Sequence, residues 1–155
     1  MQEVEQRSPL AAHWSLDKYR ALFAGSAPRR RTWVVEKADN SRAAASGGGG
    51  GSTRPTVVGF LVAHMLPEQC EVENVVVRED WRRQGVASRL LLEAIAWARA
   101  EGARSVVLEV RKSNAAALLL YRKLGFTACG IRRDYYREPR EDGAIYILSF
   151  DNLAS

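Results

Sequence analysis

Residues 70–111 constrain the fold more than any other stretch of this chain. "CEVENVVV" (70–77) ends apolar on both sides, as a buried strand does. "GVASRLLLEAIAWARAEG" then sets Val86, Leu90, Leu91, Ala94 and Trp97 along one helical stripe and closes at Gly102. "SVVLEVR" (105–111) returns as a second buried strand. Strand, amphipathic helix, strand is the pattern of a crossover between parallel strands. "SNAAALLLYRKLGF" follows as a second helix, with Ser113 or Asn114 able to cap it and Gly125 at its far end. "FTACGIRRDYY" and "AIYILSF" (144–150) read as two last strands joined by the turn-like "REPREDG". The expected fold class is α/β, with at least one parallel pair inside a mixed sheet.

The remaining segments fit one domain spanning 1–155, because a chain of 155 residues with 46% hydrophobic content buries one core comfortably and two poorly. "DKYRALFAG" predicts a short helix with Tyr19, Leu22 and Phe23 on one face, Ser15 as its cap and a stop at Gly25. "TWVVEK" (32–37) and "TVVGFLVAH" (56–64) read as strands. The glycine and serine tract between them is expected to be a flexible hairpin loop at about 39–55, since the residues before it are too few to bury a core alone. Cys70 and Cys129 match no metal-ligand spacing and are too few to staple a secreted fold, which points to the cytoplasm. Neither His13 nor His64 sits in a metal motif, so no metal is expected. No apolar run approaches the roughly 20 residues a bilayer needs, and the polar start lacks a signal-peptide core; the expectation is a soluble, unexported protein without a membrane partner. The net charge of +5 favours a polyanionic partner: nucleic acid, an anionic membrane surface or a phosphate-bearing small molecule. Composition does not choose among them.

"EDWRRQGVASRL" (79–90) sits where a strand ends and a helix begins. Unpaired backbone N–H groups of residues 83–88 would converge there, and the helix dipole adds positive potential. Such a place binds phosphate. Gly85 and Ala87 allow close approach of an anion, while Arg82 and Arg83 supply charge. The plainer alternative is a helix start that needs a glycine and shows its arginines to water. The stretch lacks the lysine and hydroxyl of a P-loop and the glycine spacing of a dinucleotide fold, which disfavours ATP and NAD.

A second constellation lies in 105–126. Glu109 interrupts an apolar strand, where an unpaired carboxylate is costly enough to favour its neutral form or to demand a partner. Asn114 and Tyr121 are seven apart and share a helix face. A phenol on that face, near a buried carboxylate, can form an acid and base pair at one reacting centre. Taken singly, Glu109 could be salt-bridged to an arginine, Tyr121 could be core and Asn114 only a cap.

Together these residues carry a resemblance. "RRQGVA" matches the R/Q-x-x-G-x-G/A signature of the GNAT superfamily of acetyl-CoA-dependent N-acetyltransferases, in the strand-to-helix setting that family requires. "ENVVVREDWRRQGVASRLLLEAI", "LEVRKSNAAALLLYRKLGF" and "GIRRDYY" followed by "EDGAIYILSF" resemble, in order and spacing, the branch of that superfamily that acetylates alanine-led N-termini of ribosomal proteins. The close resemblance covers 70–150, and "HWSLDKYRALF" is a weaker echo of an early segment in which proline usually stands where His13 is.

The resemblance implies acetyl-CoA as co-substrate and a protein or peptide N-terminus, best of all that of a ribosomal protein, as acceptor. It implies that the backbone of Val75, Val76 and Val77 pairs with the pantetheine arm. It implies that Arg83, Gln84, Gly85, Val86, Ala87 and Ser88 cradle the pyrophosphate, and that Arg82 and Asn114 also bind the cofactor. Glu109 matches the family's general base and Tyr121 its general acid. An α-amino group, with a pKa of about 8, is easier to neutralise than lysine at about 10.4, which favours N-terminal amines; lysine or a small-molecule amine is the alternative acceptor. Two departures stand out: only thirteen residues precede Trp14, so the family's first strand and most of its first helix are expected to be missing, and the glycine tract is longer than the usual hairpin. Two other classes remain: an acyl-CoA-binding protein without turnover, and a nucleic-acid-binding module suggested by "PRRRTW" and "GIRRDYYR", where arginine alternates with aromatics. The nucleic-acid reading leaves Glu109 unexplained, and no specific nucleic-acid partner is expected.

Overall fold

The computed structural model describes residues 1–7, 15–22, 29–37 and 55–150. His13, Trp14, Phe23, Gly25 and all but the last residue of the 39–55 tract lie outside the described residues. Six strands form one sheet: β1 (Arg30–Lys37), β2 (Thr56–Met65), β3 (Gln69–Val77), β4 (Ser105–Arg111), β5 (Thr127–Arg137) and β6 (Arg140–Ser149), in the order β1-β2-β3-β4-β6-β5. Among the described residues four α-helices accompany them: α1 (Gln2–Gln6), α2 (Leu16–Leu22), α3 (Val86–Ala100) and α4 (Ala115–Lys123). The expected α/β mixed sheet is present, and its parallel pair is β3 with β4, the pair joined through α3. No strand precedes Arg30 among the described residues.

The main core lies between the sheet and α3. Val86, Leu90, Leu91, Ala94, Ile95 and Ala98 of α3 pack on Leu61, Ala63, Cys70, Val72, Val106 and Leu108, the side chains that one face of β2, β3 and β4 presents by strand alternation. Trp97, expected in the buried stripe, lies at its margin and is only partly buried. It meets Trp33 edge to face at 5.5 Å, and Ile95 and Ala98 complete the apolar face instead. Gly59 permits this approach, because a Cβ there would stand 3.1 Å from Val86 Cγ1 and 3.2 Å from the Val76 carbonyl oxygen.

A smaller core lies on the other face, where Val4 of α1 and Tyr19 of α2 cover Phe60, Val62 and Val76. The polar start of the chain gave no sign of α1. It is anchored by a buried side chain, Glu5, whose Oε1 accepts from Asn74 Nδ2 at 2.6 Å. The predicted cap of α2 is present: Ser15 Oγ accepts from the Lys18 amide at 3.3 Å.

The feature that positions the site is a break in the sheet. Between β2 and β3 the register shifts: Val62 pairs with Asn74 but Ala63 with Val72, leaving Glu73 as the extra residue of a bulge. Pairing between β3 and β4 stops at the same level, with Val72 opposite Leu108 as the last pair. Beyond it β3 stays hydrogen-bonded to β2 and β4 to β6, so the two strands part. The bulge also exchanges faces, which puts Val75 and Val77 on the α3 side while Val76 joins the smaller core.

The last hairpin is tighter than expected. β6 begins at Arg140, four residues before the predicted Ala144, because Arg137 pairs directly with Arg140 and only Glu138 and Pro139 form the turn. Near that turn β5 carries a second irregularity: Arg132 pairs with Gly143 but Tyr136 with Glu141, so three residues face Asp142. Asp134 adopts a positive φ of 50° there, and Asp142 Oδ1 accepts from its amide at 2.9 Å.

Candidate active site

The parting of β3 and β4 leaves two cavities that meet. The larger, about 810 Å³, is lined by Glu71, Glu73 and Asn74 of β3, Glu109 and Arg111 of β4, Tyr135 and Tyr136 of β5, and Lys18 of α2. The smaller, about 490 Å³, is lined by Val75, Val76 and Val77, by Arg82, Arg83, Gly85, Val86, Ala87 and Ser88, and by Ala116, Ala117 and Leu120 of α4. Val75, Asn114 and Tyr121 line both. One cavity is strongly polar, and the other runs along an open strand edge to a helix start.

That helix start has the properties of an anion site. After a single 3-10 turn (Glu79–Trp81), the chain turns into α3 through Arg83 (φ 60°) and Gly85 (φ 77°), two left-handed residues within three positions. Gly85 is the N-cap residue, no side chain caps the helix, and the first helical bond runs from the Arg89 amide to the Gly85 carbonyl at 3.0 Å. The amides of residues 85–88 therefore have no intrahelical acceptor and point into the smaller cavity with the positive end of the helix dipole. A Cβ at Gly85 would meet no protein atom within 4 Å, so glycine is needed there for its φ, and the space in front of it stays open. Arg82 is partly committed, donating through Nε to the Val77 carbonyl at 3.2 Å. Gln84, predicted as part of the anion site, is not in the cavity lining; its Nε2 donates to the Asp80 carbonyl at 3.2 Å, because the left-handed turn at Arg83 folds it back over the 3-10 turn.

Gly85→Ala provides a test of this turn. The left-handed φ costs alanine about 1 kcal/mol, a fall in Tm of about 2–4 °C for a chain of this size. If the amides grip phosphate, the KM for a CoA thioester should rise by far more than that strain predicts, about tenfold. An unchanged KM beside the lowered Tm would remove the anion site.

On α4, Asn114 is indeed the cap: its Oδ1 accepts from the Ala117 amide at 3.2 Å. Its position at the meeting of the two cavities is a second property, not an alternative to the first. Ser113, the other candidate cap, is engaged with Glu141, donating from its amide at 2.6 Å and from its hydroxyl at 2.9 Å. Tyr121 is buried, with its ring 6.0 Å from Phe126 and 6.5 Å from Tyr146. Burial, and secondarily the proximity of Tyr136, push its phenol far above the usual tyrosine range, so it remains a protonated donor at any ordinary pH.

Glu109 is mostly buried in the larger cavity, but it is not the unpaired acid that one branch of the sequence expectation required. Arg132 of β5 reaches its Oε1 at 2.8 Å. Tyr135 lies beside it: burial first, and then interaction with the Glu109 carboxylate, hold the Tyr135 phenol above its ordinary range. Arg132 and Tyr135 escaped the site reading although their segment, "GIRRDYYR", was singled out as a possible nucleic-acid surface. The arginines of "PRRRTW" are likewise spoken for: Arg29 pairs with Glu101 at 2.8 Å, Arg30 grips Glu73 with two bonds of 2.8 and 2.9 Å, and Arg31 lies over Trp33. Among the described residues no group of three or more His, Cys, Asp or Glu is arranged to hold a metal ion, and no helix is long and apolar enough to cross a membrane.

A sheet parted beside a helix start that presents free amides, with an acid and a phenol at the parting, is the architecture of an acyl-CoA N-acyltransferase, and comparison agrees. The sequence profile of the acetyltransferase (GNAT) family matches residues 6–126, and the chain belongs to that family. Among individual proteins, the ribosomal protein bS18-alanine N-acetyltransferase of Escherichia coli strain K12 is 37% identical over 94 residues, which span 59% of this chain and 64% of that one. The aligned stretch is thus under two thirds of the relative's length. The crystal structure of the ribosomal-protein-S18-alanine N-acetyltransferase from Escherichia coli superposes with a TM-score of 0.70 at 28% identity, covering 99% of this chain and 90% of the other. A chain of the NatC complex, solved bound to Gag peptide and CoA, matches with a TM-score of 0.60 at 26% identity over 65% of this chain and 66% of its own.

Proposed function

We propose that this protein transfers the acetyl group of acetyl-CoA to the α-amino group of a protein N-terminus, with an alanine-led ribosomal protein as acceptor. The observation that carries this reading is the meeting of two chemically different cavities at Val75, Asn114 and Tyr121. The smaller suits the co-substrate: free amides at residues 85–88 for the pyrophosphate, and the open edge of Val75, Val76 and Val77 for the pantetheine amides. The larger is lined by four carboxylates, Glu71, Glu73, Glu109 and Glu138, against three cations, Lys18, Arg111 and Arg137, and this small excess of negative charge suits a cationic amine. Similarity to the bS18-alanine enzyme, and to a chain of the NatC complex, which was solved bound to Gag peptide and CoA, supports both assignments. Free thiols at Cys70 and Cys129 accord with action in the cytoplasm.

In this mechanism Glu109, directly or through a water, takes a proton from the acceptor ammonium. The freed lone pair attacks the thioester carbonyl carbon and a C–N bond forms; the nitrogen then loses its second proton to water, and the C–S bond breaks as the carbonyl is restored. The departing sulfur takes its proton from the Tyr121 hydroxyl, and solvent returns each residue to its starting state. Mass-spectrometric assay of acetyl transfer to a peptide panel tests the acceptor: alanine-led peptides, other free N-termini, and an internal lysine behind a blocked terminus. Alanine-led peptides should react fastest. Reaction of the lysine peptide but of no free terminus would overturn the N-terminal assignment.

A further inference from the structure

We propose that Arg132 is a positioning residue for acceptor deprotonation, acting through Glu109 and touching neither co-substrate. The inference rests on the acetyl-transfer reading above and deepens it. Glu109 and Tyr135 line the larger cavity and Arg132 does not, so the guanidinium reaches the carboxylate from outside the cleft. It holds Oε1 at 2.8 Å, and in this proposal the proton from the acceptor goes to Oε2. An ion pair at one oxygen narrows the range of the carboxylate's terminal torsion, and a near-attack geometry depends on that.

The contact is built by the bulge of β5. In a regular strand, residues 132 and 135 face opposite sides of the sheet. Here the extra residues opposite Asp142 bring both to Glu109, with Asp134 in its left-handed conformation holding the distortion in place through Asp142 and Arg140. The Arg132 guanidinium also lies 5.3 Å from the Tyr135 ring centroid, a contact that braces a side chain otherwise 55% exposed. An unbraced ion pair at that exposure would contribute almost nothing to order.

The test is a double-mutant cycle in kcat, with alanine-led peptide and saturating acetyl-CoA. Arg132→Ala should lower kcat by about ten- to a hundredfold with the KM for acetyl-CoA unchanged, and Arg132→Lys, which still donates to Oε1, should recover most of the loss. In a Glu109→Gln background the same Arg132→Ala change should cost less than about twofold, because the group it positions is gone. Equal losses in both backgrounds would overturn the proposal, since a merely structural role affects both alike; so would full activity of Arg132→Ala beside an unaltered Glu109. If Glu109→Gln alone leaves transfer intact, or the unaltered protein acetylates no amine, the failure lies in the mechanism above and takes this inference with it.

Discussion

Glu109→Gln should lower the kcat of acetyl transfer by about 10²- to 10⁴-fold while leaving the affinity for CoA within about twofold. The separation follows from geometry: Glu109 lines the polar cavity only, whereas the helix start and open strand edge line the other. Glutamine keeps the shape and an oxygen for Arg132 but cannot take a proton. The ion pair it replaces is more than half exposed on the arginine side, so stability should scarcely change. Steady-state kinetics with a free-terminus peptide, and calorimetric titration with CoA, read the two quantities independently. A variant that turns over normally, or one that has lost CoA binding in proportion to its activity, would remove Glu109 as the base.

Tyr121→Phe should lower kcat by about 10²-fold, because the departing thiolate then lacks a proton donor. The ring contacts with Phe126 and Tyr146 survive the substitution, so Tm should hold. Burial gives the pH dependence its sign: the raised phenol stays protonated as pH climbs, and its donor role should persist to at least about pH 10. A falling limb of the pH–rate profile near pH 8 or 9 that disappears in Tyr121→Phe would contradict this. So would an unchanged kcat in the variant.

Much of this site could be read from residue order alone because its parts are local. The strand–turn–helix of 70–102 needs a glycine where φ turns positive, and Gly85 is that residue. Asn114 caps α4 from the position that capping preference indicates, and Tyr121 falls seven residues on, where the helical period brings it to the same side. Leu91 and Ala94 are fully buried for the same reason of periodicity. Where the reading failed, the cause was a break in the period. The bulge at Glu73 exchanges the faces of β3, and the bulge of β5 brings Arg132 and Tyr135 to one side, although strict alternation separates them. The early helix α1 escaped notice because a buried Glu5 holds it through Asn74, 69 residues away, and no local pattern announces such a bond.

The amino-acid sequence by itself determined the α/β crossover, the glycine-turned helix start, and the presence of an acid and a phenol on neighbouring elements. Each of these depends on dihedral preference or on the period of one strand or helix, which neighbouring residues set among themselves. Only the tertiary structure decided that β3 and β4 part at Val72 and Leu108, that the two cavities meet at Tyr121, and that Arg132 and Tyr135 hold Glu109. Those facts depend on register between strands distant in the chain, where one extra residue re-aims every side chain beyond it, and no local preference encodes which register wins.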